Sequence, residues 1–242
     1  MSRLNANQTA DAEATDPRWS WLYRIGGAAA LIMALIIPLQ LVVFIVSPPP
    51  STVLGWFALF QRSKLLGLLS FESLFIIYGA LSIPMSLALY IALRRTSQSF
   101  TALYVALSLV GVVALFAARP AFDMLYLSNQ YAAAATDAQR SVFLAAGEAM
   151  LAVFHGTAFQ VSYVLGSLAG LIISLVMLRS HIFSRFTAYV RIISSVLDFG
   201  LFVPVVGIFI SSFSAVLLLI WNILVGRRLL RLGQDTRTVH GV

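Results

Sequence analysis

Residues 182–225 read IFSRFTAYVRIISSVLDFGLFVPVVGIFISSFSAVLLLIWNILV, and how this run is divided decides the fold. As one helix its 44 residues would extend about 66 Å, roughly twice the hydrocarbon thickness of a bilayer. The piece FGLFVPVVG in its middle supplies Gly200, Pro204 and Gly207 for a tight hairpin. The run therefore reads as two membrane spans, 182–202 and 205–225.

Working outward, four more apolar segments have spanning length, at 21–46, 65–93, 100–118 and 149–178. Trp19, Trp21 and Tyr23 anchor the first, and Pro38 predicts a kink in it. The distribution of basic residues tests the count. With six spans and the N-terminus inside, the inner segments hold twelve arginines: Arg3, Arg18, Arg24, Arg94, Arg95, Arg179, Arg185, Arg191, Arg227, Arg228, Arg231 and Arg237. The outer segments hold only Arg62, Lys64, Arg119 and Arg140. Five spans would move the C-terminal arginines outside and spoil that bias. The expected fold class is all-α: a polytopic membrane protein of six transmembrane helices in a compact bundle, with both termini on the cytoplasmic side of a plasma membrane.

Composition agrees. The 242 residues are 60% hydrophobic and 10% charged, whereas soluble domains are about 45–50% apolar and about 25% charged. The polar segment 1–18 is too short to form a core and has mixed charges, so it reads as a disordered cytoplasmic tail rather than a signal peptide. Residues 229–242 read as a basic cytoplasmic tail, with RRLLRLG as a stop-transfer flank. The net charge of +7 sits at the ends of apolar runs, which points to anionic lipid headgroups at the cytoplasmic face and not to nucleic acid. The absence of cysteine excludes disulfides, thiol nucleophiles and cysteine-ligated metal.

Two outer segments carry structure of their own. SPPPSTVLGWFALFQRSK predicts a short helix over 51–62 lying in the interface after the first span. In YLSNQYAAAATDAQR, part of a structured outer loop between spans three and four, Thr136 and Gln139 match a capping box that starts a helix near Asp137.

A helix over 137–178 would be about 63 Å long, so its outer end must leave the hydrocarbon. Counting outward from Arg179 puts His155 at the outer boundary and Glu148 about two turns beyond it. The same count from Arg94 places Glu72 at the outer edge, and that from Arg185 places Asp198 in the outer third of span five. The candidate ligand-binding residues are therefore Glu148, His155, Glu72, Asp198, Arg119 and Arg140, sharing one outward-facing layer with Arg62 and Lys64. Arg191 alone falls deeper, where it can snorkel to the inner face. That layer reads either as a wetted interface tied by ion pairs or as a pocket for a ligand, ion or proton. His155, Glu148 and Asp198 are thin ligation for a metal, because no second histidine is near and no HExxH spacing occurs. No catalytic residue, metal or cofactor is assigned.

Other features are less specific. Gly166 and Gly170 form a GxxxG whose face continues through Ser162, Phe159 and His155, so this face should meet another helix, in this chain, a second copy or a membrane partner. Gln40 and Asn222 read as interhelical hydrogen bonds. No Walker loop or Ser-His-Asp set is present, and the one lysine, Lys64, lies at an outer helix end.

The runs SNQYAAAATDAQRSVFLAAGEAMLAVFHGTAF, VMLRSHIFSRFTAYV, FGLFVPVVGIF and WNILVGRRLLRLG resemble a family of bacterial six-span membrane proteins known as domain of unknown function 4386. The likeness covers residues 20–233 and implies a compact six-helix membrane protein without an assigned activity, and no functional residues come with it. The residue after TAYV is expected to be small in such sequences, and here it is Arg191. The reading is a non-enzymatic membrane subunit or a lipid or small-ligand binder. The alternative is a small ion-coupled secondary transporter acting as a dimer, against which stand a midplane poor in polar residues and no obvious inverted repeat.

Overall fold

The computed structural model describes residues 17–203 and 207–238. The regular structure of those residues is all helical, without strands. After a 3-10 turn at Pro17–Trp19 come α1 (Ser20–Val46), α2 (Val53–Arg62), α3 (Lys64–Ser70), α4 (Ser73–Leu93) and α5 (Gln98–Ala117). They are followed by α6 (Ala121–Ala133), α7 (Asp137–Phe154), α8 (Thr157–Arg179), α9 (Arg185–Asp198), a 3-10 turn at Phe199–Phe202, and α10 (Gly207–Thr238). Five segments are long and apolar enough to cross a membrane: Ser20–Val46, Ser73–Leu93, Gln98–Ala133, Asp137–Arg179 and Ser212–Asp235.

Several boundaries differ from the sequence reading. The segment expected to span 65–93 is divided into α3 and α4 by Glu72, whose φ of 60° is left-handed and ends the first helix. The segment expected at 149–178 is interrupted at His155, the C-cap of α7, and Gly156. Glycine has the lowest helix propensity after proline, and α8 begins one residue later. The run expected at 182–202 folds as the 14-residue α9 plus the 3-10 turn, and it is not among the five long apolar helices. The last helix continues past 225 to Thr238, burying Leu229 and Leu232 in what reads as a basic tail. The expected N-terminal tail falls outside the described residues apart from positions 17 and 18, and so does Pro204 of the hairpin.

The chain forms two compact units. The first comprises the described parts of Met1–Leu35, Ala80–Gly111 and Val164–Val242. Its helices approach closely where side chains are small. A Cβ on Gly27 would lie 2.9 Å from the carbonyl oxygen of Gly226, and one on Gly226 2.9 Å from that of Gly27. Here α1 and α10 touch backbone to backbone, as small residues permit in membrane helices. Ser20 donates from Oγ to the Gly233 carbonyl at 2.9 Å, closing the same pair.

The second unit comprises Ile36–Gly79 and Val112–Tyr163. Its core is aromatic: Trp56, Phe57, Phe60, Phe71 and Phe154, with Val53, Ala121 and Met124. Trp56 meets Phe71 edge-on at 4.7 Å, and Phe71 lies 4.6 Å from Phe154. The helix foreseen after the first span is α2, capped by Thr52. Its apolar stripe, Val53, Trp56, Phe57 and Phe60, has i, i+3, i+4, i+7 spacing, but packs into this core. The foreseen capping box is present: Gln139 N donates to Thr136 Oγ1 at 3.3 Å, and Thr136 N to Gln139 Oε1 at 3.3 Å. Gln40 ties α1 to the end of α3, donating from Nε2 to the Leu69 carbonyl at 3.2 Å.

Candidate functional site

Two enclosed ion pairs among the described residues, one in each unit, are built differently. In the second unit, Pro120 keeps Arg119 out of helical geometry at the end of α5. The guanidinium lies over the rings of Phe154 at 4.8 Å and Phe159 at 5.2 Å. Its Nη2 meets Glu72 Oε2 at 2.6 Å, and its Nη1 donates to the Ala118 carbonyl at 3.2 Å. The arginine side chain is 4% exposed and the glutamate side chain 21%, so of the two only Glu72 is partly exposed. Glu72 carries the φ of 60° that breaks the helix, a conformation costing a residue with a Cβ about 1–2 kcal/mol. Strain of this kind persists where surrounding contacts over-determine it, and here the ion pair and the Phe71 core supply them.

Of the other residues of the foreseen outer layer, His155 lies near enough for its charge to act on Glu72, and the rest do not join this pair. His155 is exposed, its ring edge against Phe154 at 4.8 Å. Glu148 is exposed and makes no ion pair among the described residues. Arg140 pairs with Asp137 at 3.4 Å in the first turn of α7, with both side chains open to the surroundings. Asp198 belongs to the first unit and has other partners.

Those partners surround Arg191, which does not snorkel. Thr187, Ala188, Arg191, Ser194 and Ser195 are buried on one face of α9. Phe186, Tyr189, Ile193 and Val196 are exposed on the other. This helix is inside-out by the standard of a soluble protein. Its polar stripe faces protein and its apolar stripe faces outward, the arrangement that a lipid environment stabilises. Arg191 is 8% exposed. Its Nη1 donates to Ser194 Oγ at 3.1 Å and lies 3.6 Å from Asp198 Oδ2, and its Nη2 donates to the Gly166 carbonyl at 3.3 Å. The guanidinium lies over the Trp221 ring at 5.4 Å. Asp198 accepts from Ser167 Oγ on Oδ2 at 3.1 Å and from Ser214 Oγ on Oδ1.

The GxxxG of α8 makes this packing possible. A Cβ on Gly170 would fall 2.5 Å from Arg191 Nε, Arg191 Nη2 and Ser195 Oγ. The absent side chain is the space that the guanidinium occupies, so this part of the glycine face is covered from within the chain. Gly166 has nothing within 4 Å of its own Cβ position.

Three donors of the cluster have no hydrogen-bond partner among the described residues: Arg191 Nε, Ser195 Oγ and Trp221 Nε1. Ser195 is 0% exposed and Trp221 3%. A buried unpaired donor costs about 1–3 kcal/mol. Both oxygens of Asp198 are engaged, so the unmet capacity of the cluster is for accepting groups. Sequence reasoning found Asp198 but missed Arg191, Ser195, Ser167, Ser214 and Trp221. The available signal was the polar stripe Thr187, Arg191, Ser194 and Ser195, Asp198 at helical spacing in an apolar run.

Fold and site together define the class as an all-helical chain with five membrane-length apolar helices and a charged cluster enclosed by helix faces. Comparison with protein-family models, with curated proteins and with solved structures finds no match to this chain.

Proposed function

We propose that the protein is a non-enzymatic, six-span protein of a bacterial plasma membrane, with both termini cytoplasmic, that binds a small acceptor-bearing ligand at the Arg191–Asp198 cluster. The ligand class is an inorganic anion, a carboxylate or a carbonyl compound. The single observation that carries this reading is the set of three buried donors without a hydrogen-bond partner among the described residues, around an ion pair whose two carboxylate oxygens both already accept hydrogen bonds. The sixth span is α9 with its 3-10 turn, about 29 Å at the rises of the two helix types. Its apolar outer face supports that assignment although its mean composition does not.

Chemistry is disfavoured by the hydroxyls themselves. Asp198, the carboxylate to which Ser167 and Ser214 donate, is paired with Arg191, and an ion pair of this kind makes it a weak base toward either hydroxyl. Reporter fusions after Pro50 and after Val242 test the topology and should report opposite sides. Thermal shift in detergent with a panel of halides, phosphate and small carboxylates tests the site. At least one compound should raise the midpoint of the parent, and Ser195→Ala or Trp221→Phe should reduce that rise. If no compound acts and Ser195→Ala simply stabilises, the cluster is structural and the reading fails.

The second reading, an ion-coupled carrier acting as a dimer, is favoured by one observation. An acid and a base lie inside a segment assigned as a span, where ionisable residues mark ion or substrate pathways. The open flank of Gly166 offers a second copy a place to pack. Proton-coupled uptake into vesicles, abolished by Asp198→Asn, would select it.

A further inference from the structure

A cavity in the first unit lies at the opposite end of α9 from Asp198. It is lined by Phe183, Ser184 and Thr187 at the start of that helix and by Leu224, Arg227, Arg228 and Arg231 on one face of α10. We infer that this cavity binds the phosphate of an anionic phospholipid headgroup.

The charge on its walls is of one sign. Three guanidinium groups line it, and no carboxylate among the described residues does. Arg227 and Arg231 make no ion pair or hydrogen bond among the described residues and are exposed. Arg228 is held in place by donating from Nε to the Ile182 carbonyl at 2.6 Å, which leaves its Nη groups to face an anion. Arginine is suited to this because its planar fork matches phosphate oxygens two at a time.

The hydroxyls and the helix end add donors. Ser184 caps α9, accepting from Thr187 N at 3.2 Å, and its Oγ lies 2.9 Å from Thr187 Oγ1. The positive end of a 14-residue helix dipole therefore opens at the cavity. The volume is about 190 Å³, the share of roughly six waters at about 30 Å³ each, enough for a phosphate and a few attached atoms.

Phosphate alone would satisfy these donors, but the surroundings favour lipid. Phe186 and Tyr189, 62% and 52% exposed, follow on the outward face of α9. Acyl chains can lie along them while the headgroup sits among the arginines. The inference rests on the membrane reading and is independent of any ligand at Arg191.

The test uses the full-length protein in phosphatidylcholine vesicles, with and without phosphatidylglycerol, and in phosphatidylcholine with inorganic phosphate. Thermal midpoint and lipid retained in native mass spectrometry are read for the parent, for Arg227→Ala/Arg231→Ala, and for Arg95→Ala/Arg179→Ala, which removes two exposed charges outside the cavity. Phosphatidylglycerol should raise the parent midpoint, and the cavity variant should lose at least half of that rise and of the retained lipid. Its midpoint in pure phosphatidylcholine should stay unchanged, and the other variant should behave as the parent. Inorganic phosphate reproducing the rise would assign the cavity to soluble phosphate and overturn the lipid assignment. An equal loss in both variants would reduce the effect to net charge, and no loss in the cavity variant would exclude the site.

Discussion

Glu72–Arg119 and Arg191–Asp198 are both Arg–carboxylate pairs, yet they solve different problems. In the second unit a backbone irregularity and an ion pair support each other. Glu72 turns the chain left-handed, its carboxylate holds Arg119, and two phenylalanine rings cover the guanidinium. In the first unit the backbone of α9 is regular and the side chains bear the cost. Four serines, a glycine and a tryptophan surround the pair, leaving three donors unmet. The first pair reads as a structural clasp at a helix break. The second has unused capacity for hydrogen bonding, and unused capacity is what a binding site requires.

That contrast breaks first on Arg191→Ala. It leaves the Asp198 carboxylate, 13% exposed, without its counter-charge and Trp221 without its cation, and stability should fall by about 3 kcal/mol. The readout is the midpoint of SDS-induced unfolding in mixed micelles, with part of the loss recovered when Asp198→Ala is added. Arg119→Ala should cost less, about 2 kcal/mol by the same titration. Glu72 keeps 21% of its side chain exposed against 13% for Asp198, so its carboxylate is the better solvated of the two once its arginine is gone. Equal losses would mean that the two pairs are energetically alike.

Backbone strain sharpens the clasp reading at a finer scale. Glu72→Gly and Glu72→Ala both remove the carboxylate, but only glycine accepts a φ of 60° without penalty. The glycine variant should therefore be more stable than the alanine variant by about 1 kcal/mol. The smallest effect belongs to Glu148→Gln, within about 0.5 kcal/mol, because that side chain is exposed and has no ion pair among the described residues. A larger change would reveal a role for Glu148 that its surroundings do not show.

Much of this was legible in the sequence, for physical reasons that also mark where legibility ended. Hydropathy locates long helices because every backbone polar group must be satisfied inside the segment that crosses lipid. The Thr136–Gln139 box was readable because capping is local. Counting residues from flanking arginines put Glu72 and Arg119 in one expected layer, and the two do pair. Depth carries no azimuth, so it could not say that Arg191 turns inward. The break at Glu72 was hidden because a glutamate stands where glycine or asparagine usually marks a left-handed helix end. The stripe of α2 was readable as amphipathic, but its period does not name what covers it: protein core or lipid interface.

The inside-out α9 is the point on which the account turns, and the absence of native cysteine lets single introduced cysteines test it cleanly. A nitroxide attached at Ile193→Cys in the protein reconstituted into liposomes can be examined by power saturation with oxygen and with a water-soluble nickel chelate. Ile193 lies on the outward apolar face, so the label should collide readily with oxygen, which concentrates in lipid, and scarcely with the chelate. Dominant collisions with the nickel chelate would place that face in water and contradict the account.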